Sequence, residues 1–394
     1  MTRYLIRQTL LSLVKLFVFV SLMFFLIQIM IPGDFVDQFS LSLDTSQREE
    51  LRVQLGLDLP LWQRYINWLV RLTTLDFGES FFGGSVTDLL GTVIPPTLLV
   101  FFTGTALAFM IGMWLGKHTA WRGAGCASRL ATLGGITLFT SFPPFLAFVL
   151  AFLFTRGRSF HVMGEVGGLR GVNYRGLDRE IWKLADVDPS AVVSRMVLVL
   201  LLATAFFLLL NILLSRLIGF KIPAILLVAL VAGTSIGLWF ILDMQALAFD
   251  IMKLSWLAIV TYTLLAFGET MLIMQSSMTD VLKEQYIETA RAKGLPASTV
   301  RERHAARNAL LPVLSRFVIS LPYLLTAVVI IESSVGWPGM GTTMWNALYW
   351  QNMPVVMAIL VLIGLLSLVA RLILDVVIAY SDPRIRYDQQ ASTA

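Results

Sequence analysis

The chain is poor in the residues from which most catalytic centres are built. It has one cysteine, Cys126, in 394 residues. No disulfide framework and no thiolate metal cluster follows from a single thiol. Three histidines, His118, His161 and His304, are far apart in sequence and offer no metal-ligand spacing. They fall in three separate loops. A membrane-embedded transferase or protease would need His, Asp, Ser or Cys gathered at one depth, so their scatter argues against that class. The phosphate loop G-x-x-x-x-G-K-[ST] is also absent. Gly112 to His118 reads G-M-W-L-G-K-H, without the spacing or the Ser/Thr. By that route the chain binds no ATP, and no cofactor is implied. Charge is scarce as well: 14% of residues are charged against 57% hydrophobic. This excludes an ordinary soluble domain and predicts an all-α polytopic membrane protein.

A helix of about 20 apolar residues crosses a bilayer. Apolar stretches of that size lie near 9–31, 97–116, 132–154, 193–215, 222–242, 254–277, 313–333 and 355–380, which predicts about eight spans. The N-terminal run follows Arg3 and Arg7, continues to Ile31 and lacks a clear small-x-small cleavage site, so it reads as the first span. With eight spans, the basic residues Lys117, Arg122, Arg129, Arg216, Lys221, Lys283, Arg291, Lys293, Arg301, Arg303, Arg307, Arg316, Arg384 and Arg386 share one side. That side is the cytoplasm, together with both termini. The opposite loop, 32–96, is acidic. The 155–192 loop mixes both signs and partly breaks the rule, which long loops follow weakly.

The most polar long stretch is Glu284 to Pro312, E-Q-Y-I-E-T-A-R-A-K-G-L-P-A-S-T-V-R-E-R-H-A-A-R-N-A-L-L-P, between two apolar spans. Nothing breaks a helix from Asp280 to Lys293. Leu282, Tyr286 and Ala290 share a face, and Glu288 and Arg291 are spaced to pair. Gly294 suits the residue after a helix end, where a left-handed backbone is needed. Pro296 suits the start of a new helix. Thr299 and Glu302 have capping-box spacing, although Ala297 or Ser298 serves equally as the restart. The expected form is helix, sharp turn, helix, with Ala290, Ala292, Ala305, Ala306 and Ala309 at the surface to admit another backbone. An ordinary basic cytoplasmic loop is the plainer reading.

The order E-T-A-R-A-K-G, nine residues, then H-A-A-R-N-A-L-L-P resembles the "EAA" loop of ABC-importer permeases, in particular the B-type subunits of oligopeptide, dipeptide and nickel importers. P-G-D at Pro32–Asp34, Leu55–Tyr65, P-P-T-L at Pro95–Leu98 and D-P-R-I-R-Y at Asp382–Tyr387 are similar to the same family. The resemblance implies a six-helix importer core and a coupling helix seated in a groove of an ATPase subunit. It implies an ATPase contact at Glu288, Ala290, Arg291, Lys293 and Gly294. The implied partners are two ATPase subunits, a second permease and an extracytoplasmic substrate-binding protein, in a membrane and without nucleic acid. Energy would arrive from a separate ATPase, so the chain is expected not to be an enzyme itself. Peptide is the family's default cargo; nickel, opines or sugars stay open.

The resemblance covers 1–155 and 255–388. It implies a division into a first helix with an outer loop module (1–96), core helices (97–155), an insertion with an outer loop and two extra spans (156–254), further core helices with the coupling loop 280–312 (255–388), and a tail (389–394). The outer loop reads as an amphipathic surface helix, to which the family adds a lip for the binding protein. Glu332 and the turn Gly336-Trp337-Pro338-Gly339-Met340-Gly341 are candidates for the translocation path or outer gate. Alternatively, Trp337, Trp345, Tyr349 and Trp350 form an interfacial anchor. Glu269 and Asp375 are intramembrane carboxylates; for Asp375, pairing with a partner helix is favoured over proton transfer. In the family the span before the coupling loop is often basic. Here it has Leu272, Gln275 and Glu269, which points to a cationic or neutral cargo. The rival transport reading is an ion-driven secondary carrier, but the chain shows no clear inverted repeat.

Overall fold

The computed structural model describes residues 2–30, 33–39, 42–123, 125–155, 182, 185, 187–219 and 222–381. The fold is all helical among these residues, apart from one isolated bridge between Glu79 and Ser85. In chain order the helices are α1 (Thr2–Met30), a 3-10 turn (Phe35–Phe39), α2 (Thr45–Gln54), α3 (Leu61–Thr73), α4 (Val86–Arg122), α5 (Cys126–Thr140) and α6 (Pro143–Thr155). Then come α7 (Pro189–Leu217), α8 (Ala224–Ile241), α9 (Gln245–Val281), α10 (Gln285–Ala292), a turn (Ala297–Thr299), a π segment (Val300–Ala305), α11 (Ala306–Val335), α12 (Met340–Tyr349) and α13 (Met353–Ser381).

Among the described residues four helices are long and apolar enough to cross a membrane, or up to six if each of two bent pairs is one span. The predicted straight span 132–154 is one of those pairs. It breaks between α5 and α6 with a bend of 111°. The cause is visible in S-F-P-P. Phe142 precedes Pro143, which disfavours helical backbone there, and Ser141 is extended (φ −68°, ψ 146°). The stretch containing 313–333 bends by 52° between Leu321 and Tyr323. Pro322, with no N–H to give the preceding turn, sits at that point. The predicted boundary at 254/255 falls inside α9, which is continuous from Gln245. The outer loop assigned to 155–192 lies mostly outside the described residues, as does Asp382–Tyr387.

α9 is the central helix, packed on α4, α5, α6 and α11. Its neighbour α4 presents a stripe of small residues: Gly104, Thr105, Ala108, Gly112, Gly116 and Thr119. A Cβ at Gly112 would stand 2.7 Å from the Phe267 carbonyl oxygen, and one at Gly116 2.7 Å from that of Met271. Small residues are what allow two membrane helices to approach this closely. The opposing face of α9 is large and apolar: Tyr262, Met271, Met274 and Met278 are all fully buried. The Tyr262 hydroxyl is satisfied by Thr105 across the interface, at 2.8 Å.

α7 and α8 form a hairpin at one side. The first half of α7 is buried on α4 and α9 through Val192, Val193 and Met196, whereas Leu209, Ile212 and Leu213 beyond it are exposed. At the other side, α1 packs on α13 through Val20, Phe24 and Met357. α3 crosses α1 there: Tyr65 and Trp68 lie against Phe24, and the Tyr65 hydroxyl meets Ser21 Oγ at 2.6 Å.

Candidate functional site

The polar loop folds as expected at its turn and differently at its surface. α10 runs to Ala292, Lys293 caps it, and Gly294 takes φ +73°. A residue with a Cβ is disfavoured in that conformation by about 1 kcal/mol or more. Pro296 then starts the next turn, and Thr299 caps nothing. The predicted capping box is absent because Glu302 is drawn elsewhere. Its carboxylate meets Lys117 Nζ of α4 at 2.8 Å and Arg301 Nε at 3.0 Å. The π segment supplies the shift in helix phase at this point, and such widened turns are common at functional positions.

The alanines expected at the surface are, with one exception, inside. Ala290, Ala305, Ala306 and Ala309 are buried with Ile287 and Val300 against Met274 and Met278 of α9; Ala292 alone is exposed. Ala290 is therefore corrected from a surface contact to a packing residue. Its small side chain lets α10 lie against its own chain. The expected Glu288–Arg291 pair is replaced: the Arg291 guanidinium stands 5.6 Å from the centre of the Trp121 ring of α4. Asn308 Nδ2 donates to the Tyr286 hydroxyl at 2.7 Å, tying α10 to α11. The result is a buried base and an exposed tip. Every residue from Arg291 to Ser298 is exposed, and so is Glu288.

The outer end of α11 is built the other way. Gly336 ends the helix in a left-handed conformation (φ +68°) and the chain doubles back into α12. Glu332 is fully buried. Its Oε2 accepts from the Gly341 N–H at 2.9 Å and from the Thr97 hydroxyl at 3.1 Å. Among the described residues, Oε1 has no hydrogen-bond partner. The Thr97 hydroxyl also accepts from the Met340 N–H at 2.9 Å, and Trp337 Nε1 donates to the Pro96 carbonyl at 3.1 Å. Pro95 and Pro96 remove two backbone donors from α4, and this is where the turn seats. Trp337, Pro338 and Gly339 are buried, so the interfacial-anchor reading does not hold for Trp337; Trp345 and Tyr349 of α12 are the exposed aromatics. A Cβ at Gly339 would meet the Glu332 carboxyl, and one at Gly341 would overlap the Val329 carbonyl. Glycine at both positions is a requirement of close approach.

The outer loop module docks on this corner. Asn352, fully buried, donates to Ser80 Oγ at 2.9 Å and accepts from the Phe81 N–H at 3.3 Å. Arg52 gathers Asp34, Asp37 and Glu49 at 2.8, 2.6 and 2.8 Å. The hydrogen bond to Asp34 raises the pKa of the Arg52 guanidinium above its ordinary value, outweighing burial. Sequence reading missed Thr97, Asn352 and Arg52; the P-G-D and P-P-T-L stretches were the signal.

Glu269 does not stand alone. It accepts from the Tyr323 hydroxyl, and its Oε1 lies 3.6 Å from Arg316 Nε. Asp375 falls in α13, with its side chain outside the described ones. Among the described residues no group of three or more His, Cys, Asp or Glu could hold a metal ion.

Residues 108–387 match the family described as the binding-protein-dependent transport system inner membrane component. Residues 1–85 match the N-terminal family of such membrane components. The chain is similar to the oligopeptide transport system permease protein AppB of Bacillus subtilis, 28% identical over 98% of this chain and 100% of the relative. It is also similar to the di/tripeptide transport system permease protein DppB of Pseudomonas aeruginosa, 26% identical over 96% of this chain and 97% of the relative. The oligopeptide transport system permease protein OppB of Mycobacterium bovis is 27% identical over 84% of this chain and 82% of its own length. The chain belongs to the family of inner membrane components of binding-protein-dependent transport systems, and it is a membrane permease subunit of an ABC importer.

Proposed function

Taking that membership as the premise, we propose that the chain forms half of a translocation path for peptides, as the relatives' names state for those proteins. The observation that carries the reading is the exposed tip Arg291–Ser298 on its buried base. A loop that packs its small residues inward and its charges outward is rigid enough to transmit a push and free enough to be gripped. Glu288, Arg291, Lys293 and Gly294 are assigned to the ATPase contact, with Ala290 and Ile287 as the seat behind them. Two ATPase subunits, a second permease and a substrate-binding protein complete the complex. The chain contributes no nucleotide site and is not an enzyme alone.

In this reading ATP closes the ATPase pair, the grooves move, and the docked loop carries α9 and α11 with it. Glu332, Trp337, Pro338 and Gly339 form the fixed side of the outer gate, pinned to α4. The two shorter apolar helices, α8 and the α13 segment, complete eight spans, with both termini and the coupling loop cytoplasmic. Residues 156 to the start of α9 are an insertion in which the first half of α7 rests on α4 and α9, while the rest of α7 and α8 face lipid or a further subunit. Their exposed apolar faces support this.

Reconstitution of the complex in lipid vesicles tests the proposal. Tripeptide uptake is expected to require ATP and the binding protein, and to be insensitive to collapse of ion gradients. Uptake driven by a proton or sodium gradient without ATP would sink it.

A further inference from the structure

The exposed face of α11 carries a stripe at Pro312, Arg316, Ile319, Tyr323, Thr326 and Ile330, spaced alternately four and three residues apart. Such spacing keeps all six on one side of a helix. Two features set the stripe apart from a lipid-facing surface. Tyr323 stands at the middle of the apolar stretch 313–333, and its hydroxyl donates to Glu269 of α9. Arg316, about 10 Å further along the helix, reaches the same carboxylate through Nε while its side chain remains 60% exposed. A phenol bonded to a carboxylate in the middle of an apolar stretch is costly against lipid tails, and with a guanidinium on the same carboxylate it belongs at a protein or water-filled face.

The pair is lopsided. Glu269 is 14% exposed and is engaged from two sides, by Tyr323 and Arg316. Arg316 gives it only a loose contact through Nε, and among the described residues no hydrogen bond engages its two terminal nitrogens. The carboxylate thus acts as a holder. The guanidinium beside it stays largely open to the exposed face of α11. A guanidinium edge with two parallel N–H donors fits a carboxylate.

We propose that Arg316, paired with Glu269 on the segment of α11 that precedes its bend, is a station on the translocation path that receives the carboxylate of the cargo. It rests on the peptide-path reading above and deepens it. The carbon chain of the cargo then runs along Ile319 and Ile330 on the same stripe. Arg316 is the contacting residue; Glu269 and Tyr323 are positioning residues.

The test uses the reconstituted complex with binding protein and ATP, and compares uptake of trialanine with that of trialanine C-terminal amide. Arg316→Leu is expected to lower uptake of the free acid by about tenfold or more relative to the amide, with co-purification of the partner subunits intact. Arg316→Lys, which keeps the charge without the fork, recovers part of the acid uptake. Glu269→Gln weakens the preference for the acid without abolishing uptake. Equal loss for acid and amide in Arg316→Leu, or loss of the second permease on purification, would show a packing role at the permease interface and overturn the proposal. Unchanged uptake of both in Arg316→Leu overturns it too. If the wild-type complex takes up neither peptide, the peptide reading itself fails and this inference falls with it.

Discussion

The far end of α11 and the polar loop that leads into it treat polar groups in opposite ways. At the outer end, the Glu332 carboxyl, the Thr97 hydroxyl and the Gly341 N–H are sealed against one another and against solvent. In the polar loop, Glu288, Arg291 and Lys293 are exposed and only the alanine side of the element is buried. The sealed corner fixes geometry, so damage there costs folding. The open tip has little to lose within its own chain, so damage there costs partnership. Stability and coupling should therefore separate between that corner and the loop.

Substitution at the sealed corner is the strongest way to sharpen that contrast. In Gly341→Ala the new methyl overlaps the Val329 carbonyl, a backbone group that cannot rotate away. A loss of about 3 kcal/mol is expected, read as a lowered Tm in detergent and a lower yield of folded protein. Glu332→Ala strands the buried Gly341 N–H and leaves the Thr97 hydroxyl only the Val93 carbonyl at 3.3 Å; it is expected to cost about 2 kcal/mol, with Glu332→Gln costing less than half of that because it keeps an acceptor and the volume. A Gln variant as unstable as the Ala variant would refute the hydrogen-bond account of this corner.

At the base of the cytoplasmic element, Ala290→Leu forces a larger side chain between α10 and α9. About 1–2 kcal/mol should be lost through overpacking; if Tm is unchanged while ATPase binding is abolished, Ala290 is a surface contact after all. The smallest structural effect belongs to the tip. Lys293→Ala should change stability by less than about 0.5 kcal/mol, yet reduce ATP-driven uptake. A Tm shift as large as that of the corner variants would erase the contrast.

Much of this contrast was legible in the sequence. Gly294 before Pro296 marked the turn because a left-handed backbone and a missing N–H are local demands. Glu332 followed by a Gly/Pro turn marked the outer corner for the same reason. The orientation of the alanines was not legible. A run such as A-R-A-K-G shows that the residues are small, but not whether the backbone they admit belongs to a partner or to the same chain. Ion pairs between distant elements were equally hidden: Glu302 with Lys117 and Glu269 with Arg316 are joined by packing alone. The break at Ser141–Phe142 was written in S-F-P-P, but the hydropathy of the surrounding stretch concealed it.

The most direct measurement is gentle solubilisation of the tagged protein from its native membrane, with identification of what co-purifies, repeated for Gly294→Arg. The prediction is that ATPase subunits and a second permease accompany the wild type. The substitution should release the ATPases while the second permease stays and Tm falls by no more than a few degrees. A wild-type protein that purifies alone, or ATPases that remain bound to the Gly294→Arg protein, would contradict the assignment of the exposed tip as the coupling surface.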